Sequence, residues 1–198
     1  MNISTFGFNS YRIQSDGVTV ITNPFDASHQ FKIARQSADI LLLSEKSDES
    51  IEAISGSPFV IAAPGEYEVK SVFVYGIPTN GQTMYLIEAD DITIAFIGTV
   101  HIKELSDKHL ELLEGADIFI VPVGGKNVPN AKEAAHMINQ IEPRLVIPSY
   151  YHSSSAKDLD TVEAFFKEYA APKEEMDKLK ISKKDLQTED TRIVVLKP

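Results

Sequence analysis

The residues best suited to chemistry lie in one short run, Ser44-Glu45-Lys46-Ser47-Asp48-Glu49-Ser50, fed by an apolar stretch from Ile40 to Leu43. No glycine or proline interrupts the join. A buried strand that delivers polar side chains from its C-terminal end is where α/β folds build their sites. Glu45, Asp48 and Glu49 offer the oxygen ligands that Mg²⁺ or Ca²⁺ takes. A solvated loop at a strand end is the simpler reading of the same three carboxylates.

The other candidates are scattered. His101 follows Gly98-Thr99-Val100, and His152 lies two residues beyond Tyr150; either can serve as a nitrogen ligand, and either can be a plain surface residue. His136 falls opposite the Ala134/Ile138/Ile141 helix face, His109 sits on a short amphipathic helix and His29 in a loop, each without a partner in sequence. Gly124-Gly125, ahead of a helix beginning near Asn130, can present backbone N–H groups to an anion or simply turn the chain. There is no Gly-x-Ser-x-Gly elbow, and with no cysteine in the chain thiol nucleophiles, disulfides and cysteine-ligated zinc are excluded.

The elements that must position these residues divide in two. Ile3 to Phe6, Tyr11 to Gln14 and Val18 to Thr22 read as strands, with Asp16-Gly17 as a hairpin turn. Asn23-Pro24-Phe25-Asp26 breaks the sheet before the strand Ile40 to Leu43, and Asp48 to Ile54 has room for a helical turn or two. Phe59 to Ala62, Tyr67 to Tyr75, Thr83 to Glu88 and Asp91 to Ile97 continue as strands, the last two paired about Ala89-Asp90. The second half alternates. Ser106 caps a helix stapled by Leu105 and Leu110; Ile118 to Val123 is a buried strand; Asn130 with Glu133 opens a helix that Pro143 closes; and Leu145 to Ile147 is again strand. Ser155 is expected to cap the next helix, with Val162, Phe165, Phe166 and Tyr169 on one face, and Arg192 to Leu196 is the last strand. Strands first and helix-strand alternation afterwards predict two sheets with helices outside.

The 198 residues suit a single domain, 1-198, and 43% hydrophobic with 24% charged residues is an ordinary globular balance. A formal net charge of -10 argues against a nucleic-acid partner, because phosphate capture rests on lysine and arginine. No apolar run is long enough to span a membrane and no secretory pattern follows Met1, so a soluble cytoplasmic protein is expected.

Taken in order, Gly7-Phe8-Asn9-Ser10, Thr22-Asn23-Pro24-Phe25, Ala38-Asp39-Ile40 into Leu41-Leu42-Leu43-Ser44, Pro64-Gly65-Glu66-Tyr67, Ile97-Gly98, Val121-Pro122-Val123-Gly124-Gly125 and Glu142-Pro143-Arg144-Leu145 resemble the metallo-β-lactamase-fold hydrolases. They look closest to a small bacterial branch related to ascorbate-6-phosphate lactonase. The resemblance implies an α/β (α+β) four-layer αββα sandwich with its site at the loop edge between two sheets. It also implies a Ser/Thr-His-x-His-x-Asp-His zinc motif, which here falls on Ser44 to Ser50 and places Glu45, Ser47, Glu49 and Ser50 at the ligand positions. The remaining ligand positions of the branch fall on Phe8, Asn23, Thr99 and Tyr150.

Zinc in a catalytic site needs about three nitrogen, sulfur or carboxylate ligands, and without the ion a water keeps a pKa near ~15.7. The expectation is therefore a non-catalytic protein without zinc, a binding or interaction module that self-associates or takes a protein partner. The alternative is a divergent metal-dependent hydrolase of a phosphodiester or lactone, working through His101, His152 or the Glu45/Asp48/Glu49 cluster. A third reading is a small-anion sensor at Gly124-Gly125.

Overall fold

A computed structural model describes residues 1–24, 34–45, 54–154, 156–187 and 190–198. The first half supplies β1 (Asn2–Gly7), β2 (Ser10–Ser15), β3 (Val18–Thr22), β4 (Gln36–Ser37), β5 (Ile40–Leu42), β6 (Ile54–Ser55) and β7 (Phe59–Ile61). It continues through β8 (Gly65–Val69), β9 (Val72–Thr79), β10 (Gln82–Ala89) and β11 (Ile92–Phe96). Then come α1 (Asp107–Leu113), β12 (Ile118–Pro122), α2 (Ala131–Ile141), β13 (Leu145–Ser149), α3 (Val162–Glu168), β14 (Lys173–Met176), β15 (Lys178–Lys180) and β16 (Arg192–Leu196).

The strands form a six-stranded sheet, ordered β15-β1-β2-β3-β5-β7, and an eight-stranded sheet, ordered β14-β16-β13-β12-β11-β10-β9-β8. Their inner faces meet in one core, where Ile3, Ile13, Ile40 and Leu42 from the smaller sheet pack with Tyr85, Ile94, Ile120 and Ile147 from the larger. The outer face of the larger sheet carries a second core, and among the described residues all three α-helices pack there through Leu113, Met137, Ile138 and Phe165. Burying a side chain of that size stabilises by roughly 1.5–3 kcal/mol, so the two cores fix the sandwich.

Helix ends follow the sequence closely. Asn130 accepts from the Lys132 and Glu133 amides at 3.0 Å each while Glu133 accepts from the Asn130 amide at 2.9 Å, a reciprocal cap. Ser106 opens α1, with His109 Nδ1 accepting from the Ser106 amide at 3.3 Å, a partner for His109 that spacing alone does not suggest.

Three expectations are corrected. Tyr67 to Tyr75 is not one strand but the hairpin β8–β9, turned at Lys70 and Ser71, which both take positive φ (51° and 66°). The β10–β11 turn sits at Asp90-Asp91, one residue later than expected. The last helix begins at Val162 with Thr161 as its N-cap rather than from Ser155, which lies outside the described residues. The proposed turns of helix from Asp48 also lie outside them.

Candidate active site

The parallel strands β3, β5, β11, β12 and β13 all point their C-terminal ends to one edge of the sandwich. The loops there bring Phe8, Asn9, Asn23, Ser44, Glu45, Gly98, Thr99, His101 and Tyr150 to neighbouring positions, although up to 140 residues of chain separate bonded pairs.

The floor is a buried, neutral polar network. Asn9 donates through Nδ2 to the Gly98 carbonyl at 2.8 Å and accepts at Oδ1 from Ser149 Oγ at 2.6 Å. Asn23 Nδ2 donates to Ser44 Oγ at 3.1 Å, and its Oδ1 accepts from the Ser44 amide at 2.9 Å. Thr22 Oγ1 donates to the Asn9 carbonyl at 2.8 Å and accepts from the Tyr11 amide at 3.0 Å. Buried groups satisfied in this way rigidify a site. Gly98 (φ 68°) passes so close that an added Cβ would overlap Ser44, which is why this position needs glycine.

Two bulky aromatics hold a left-handed backbone beside this floor, Phe8 at φ 51° and Tyr150 at φ 48°. Such conformations are genuine outliers for large side chains and cluster at functional sites. Their rings lie 5.5 Å apart, and the Tyr150 amide donates to the Phe8 carbonyl at 3.3 Å. With Tyr11 and Tyr151 they line a small pocket of about 80 Å³. Burial pushes the Tyr150 hydroxyl pKa up, and the Glu45 charge adds to the effect. Burial likewise raises that of Tyr11.

Beside the aromatic pair lies an open cleft of about 450 Å³ lined by Glu45, Asn80, Gln82, Thr99, His101 and Asn127. Gln82 is its clamp. Its Nε2 donates to Glu45 Oε1 and, at 3.1 Å, to the Thr99 carbonyl, while its Oε1 accepts from the His101 amide at 3.0 Å. Through its nitrogen and its oxygen, one amide thus ties the loop after β5 to the loop after β11. Sequence reasoning missed Gln82 and Asn127, because a lone amide carries no motif.

The structure therefore brings Glu45, Thr99 and His101 into one cleft. His152 does not line it: that residue is exposed, with its amide donating to the Asp160 carbonyl at 2.8 Å. Ser47, Glu49 and Ser50 lie outside the described residues, as does Asp48. At Gly124-Gly125, the Gly125 amide donates to the Pro129 carbonyl at 3.1 Å, and a Cβ on Gly125 would sit 3.0 Å from Asp160 Oδ2. The Gly125 N–H is used within the turn, and the Asp160 carboxylate stands beside the loop.

The same network tests whether the family's zinc fits. Asn9, Asn23 and Ser44 spend their side-chain atoms on Ser149, on one another or on the backbone, and Phe8 and Tyr150 offer an aromatic pair. Among the described residues no group of three or more histidine, aspartate or glutamate side chains is placed to hold a metal ion. The described residues do not supply a zinc ligand set.

Two packed sheets, helices outside and a polar loop edge at the strand C-termini define the metallo-β-lactamase fold. A profile described as the Beta-lactamase superfamily domain matches residues 2–150, and the chain belongs to that family. A solved structure from Thermotoga maritima, assigned as a Zn-dependent hydrolase of the metallo-β-lactamase superfamily, superposes with a TM-score of 0.87 at 24% identity, covering 99% of this chain and 98% of that one. A UPF0173 metal-dependent hydrolase of Pyrococcus horikoshii is 26% identical over 100 residues, covering 45% of this chain and 44% of the relative. One from Staphylothermus marinus is 28% identical over 159 residues, covering 80% of this chain and 60% of the relative. The matches thus span less than two thirds of those two relatives' own lengths.

These findings correct the expectation of a non-catalytic interaction module. The relatives are named as hydrolases that depend on a metal, so loss of ligands at aligned positions is not a sound basis for inferring loss of function or of a cofactor. The named relatives are also archaeal, so the bacterial placement does not describe them.

Proposed function

We propose that the chain is a divergent metal-dependent hydrolase of a lactone or phosphodiester, with a rearranged site in the cleft of Glu45 and His101. The observation that carries this reading is the convergence of Glu45, Thr99 and His101 on one cleft at the loop edge, in a chain whose relatives are named metal-dependent hydrolases. A cleft of about 450 Å³ lies within the range of small-ligand sites. The kinship to ascorbate-6-phosphate lactonase and a cytoplasmic location belong to the same proposal; among the described residues no helix is long and apolar enough to cross a membrane.

A bound ion in this family supplies an activated water and polarises the scissile group. The described residues do not fit one at the ancestral position, so the reaction is written through the chain's own groups. Glu45, fixed by the amide of Gln82, accepts a proton from the attacking water, and general-base assistance of this kind contributes typically 10²–10⁴-fold. His101, exposed at the rim with its backbone tied to Gln82, stands where a leaving group departs.

Turnover of bis(p-nitrophenyl) phosphate and of a simple lactone tests the reading. The expected result is activity that falls in EDTA, returns with Zn²⁺ or Mn²⁺, and drops about 10²-fold or more in Glu45→Gln, with a smaller loss in His101→Ala. Absence of turnover of either ester with any added metal, or an undiminished rate in Glu45→Gln, overturns it.

A further inference from the structure

The far edge of the larger sheet carries a surface that the cleft does not use. Among the described residues β8 is the last strand there, paired with β9 alone. The two-residue turn at Lys70-Ser71 makes Val69 and Val72 the closing hydrogen-bonded pair. Antiparallel bonding then alternates, so Gly65, Tyr67 and Val69 bond to β9 while the N–H and C=O groups of Glu66 and Glu68 face outward. A row of this kind is a template for one more strand.

The side chains along the edge set what that strand must carry. Glu66 and Glu68 are both exposed and share the outer face, and the lysine of the turn, Lys70, is tied to Asp39. On the inner face, Tyr67 packs against the core and meets Phe59, which is 50% exposed, with ring centroids 6.3 Å apart. A second copy of the chain fits this edge badly. Antiparallel pairing of two β8 strands through their outward groups sets a glutamate opposite a glutamate, whichever of Glu66 and Glu68 meet. Directly opposite side chains stand roughly 4.5–5.5 Å apart, where like charges are destabilising. The net charge of -10 on each chain adds to the repulsion. The same two carboxylates favour a strand of opposite charge.

We propose that β8 is a docking edge for an extended segment of a partner protein in which lysine or arginine alternates with apolar residues. The main chain of that segment continues the ladder at Glu66 and Glu68. Its basic side chains stand opposite the two carboxylates, and its apolar ones cover Phe59 and Tyr67.

The test titrates the full chain into a fluorescein-labelled peptide of alternating lysine and valine. A peptide of the same composition with lysines and valines in separate blocks is the control for plain charge capture. The expected result is saturable binding of the alternating peptide, about tenfold tighter than the block peptide. The double variant Glu66→Gln/Glu68→Gln, at exposed positions and with an unchanged melting curve, is expected to bind about threefold to tenfold more weakly. Amide hydrogen exchange at Glu66 and Glu68 is expected to slow on adding the peptide. No saturable binding, equal affinity for the block peptide, undiminished binding by the double variant, or unslowed exchange at those two amides overturns the proposal. So does wild-type self-association that protects the same two amides, which assigns the edge to a second copy.

Discussion

Replacing Gly98 by alanine puts the geometry of the site floor under direct strain. Gly98 has φ 68°, and a Cβ built there would overlap Ser44 Oγ and lie 2.8 Å from Ser44 Cβ and 3.3 Å from Asn23 Nδ2. The left-handed conformation costs an L-residue roughly 1–2 kcal/mol. Pushing Ser44 aside breaks the 3.1 Å bond from Asn23 Nδ2 and weakens the 2.9 Å bond from the Ser44 amide, and a buried polar group left unpaired costs about 1–3 kcal/mol. The sum is roughly 2–5 kcal/mol, a Tm fall of about 5–20 °C for a chain of this size. Urea unfolding of Gly98→Ala, of Ser44→Gly and of the double variant separates the two contributions. Ser44→Gly removes the obstructing atoms, so the Gly98→Ala penalty should shrink to the backbone part, about 1–2 kcal/mol, with a coupling of about 1–3 kcal/mol between the sites. A Gly98→Ala variant within about 0.5 kcal/mol of wild type, or an identical penalty in both backgrounds, refutes the close approach and the network built on it.

Two further outcomes follow from hydrogen bonds elsewhere in the sandwich. Tyr85 is fully buried, with its hydroxyl 2.6 Å from the Leu43 carbonyl and 3.0 Å from that of Ile61, so Tyr85→Phe should cost about 1–3 kcal/mol in urea unfolding; a neutral result means neither carbonyl depends on it. Asp39 is held below the usual carboxylate range by its hydrogen bond from Lys70 at 2.5 Å, and then by the Thr19 amide at 2.8 Å. Because the folded pKa is depressed, its stabilisation is present above the unfolded value near ~3.9 and is lost as pH falls through the folded value. Asp39→Asn should therefore cost on the order of 1 kcal/mol at pH 7 and close to nothing well below the carboxylate range, and a difference that persists in acid argues against the linkage.

Much of the fold is legible in the sequence wherever one physical signal dominates. Asp16-Gly17 supplies the positive φ that a tight hairpin needs, and β2 and β3 pair across it with the expected boundaries to within a residue or two. Asn130 and Glu133 cap α2 as their spacing dictates. The misses share a cause: the local residue types carry no signal and tertiary packing decides. Lys70-Ser71 and Asp90-Asp91 adopt left-handed turns without glycine because the paired strands on either side impose them. β14 and β15 lie in a mixed-charge segment where Leu179 is the one fully buried side chain; they are strands because β16 and β1 offer open edges. β14 shows no alternation, and the one alternating triplet in β15, Lys178-Leu179-Lys180, is too short to mark a half-buried strand in sequence.

The candidate site divides along the same line. Its place is legible, because parallel strands end there whatever residues they deliver, and Phe8, Asn23, Glu45, Thr99 and Tyr150 do gather at that edge. Its capacity is not, and reasoning from ligand positions alone led to the wrong functional class. The pairs that define the cleft are a hydrogen bond between residues 37 apart, Gln82 to Glu45, and another between residues 19 apart, His101 to Gln82. Nothing in the spacing of an amide, a carboxylate and a backbone N–H announces that they will meet. The sheets fix where loops converge and leave open which side chains those loops carry. The strain at Phe8 and Tyr150 fits that picture: a left-handed aromatic costs of order 1–3 kcal/mol, and both occur where the backbone is set by the site's loops rather than by side-chain preference.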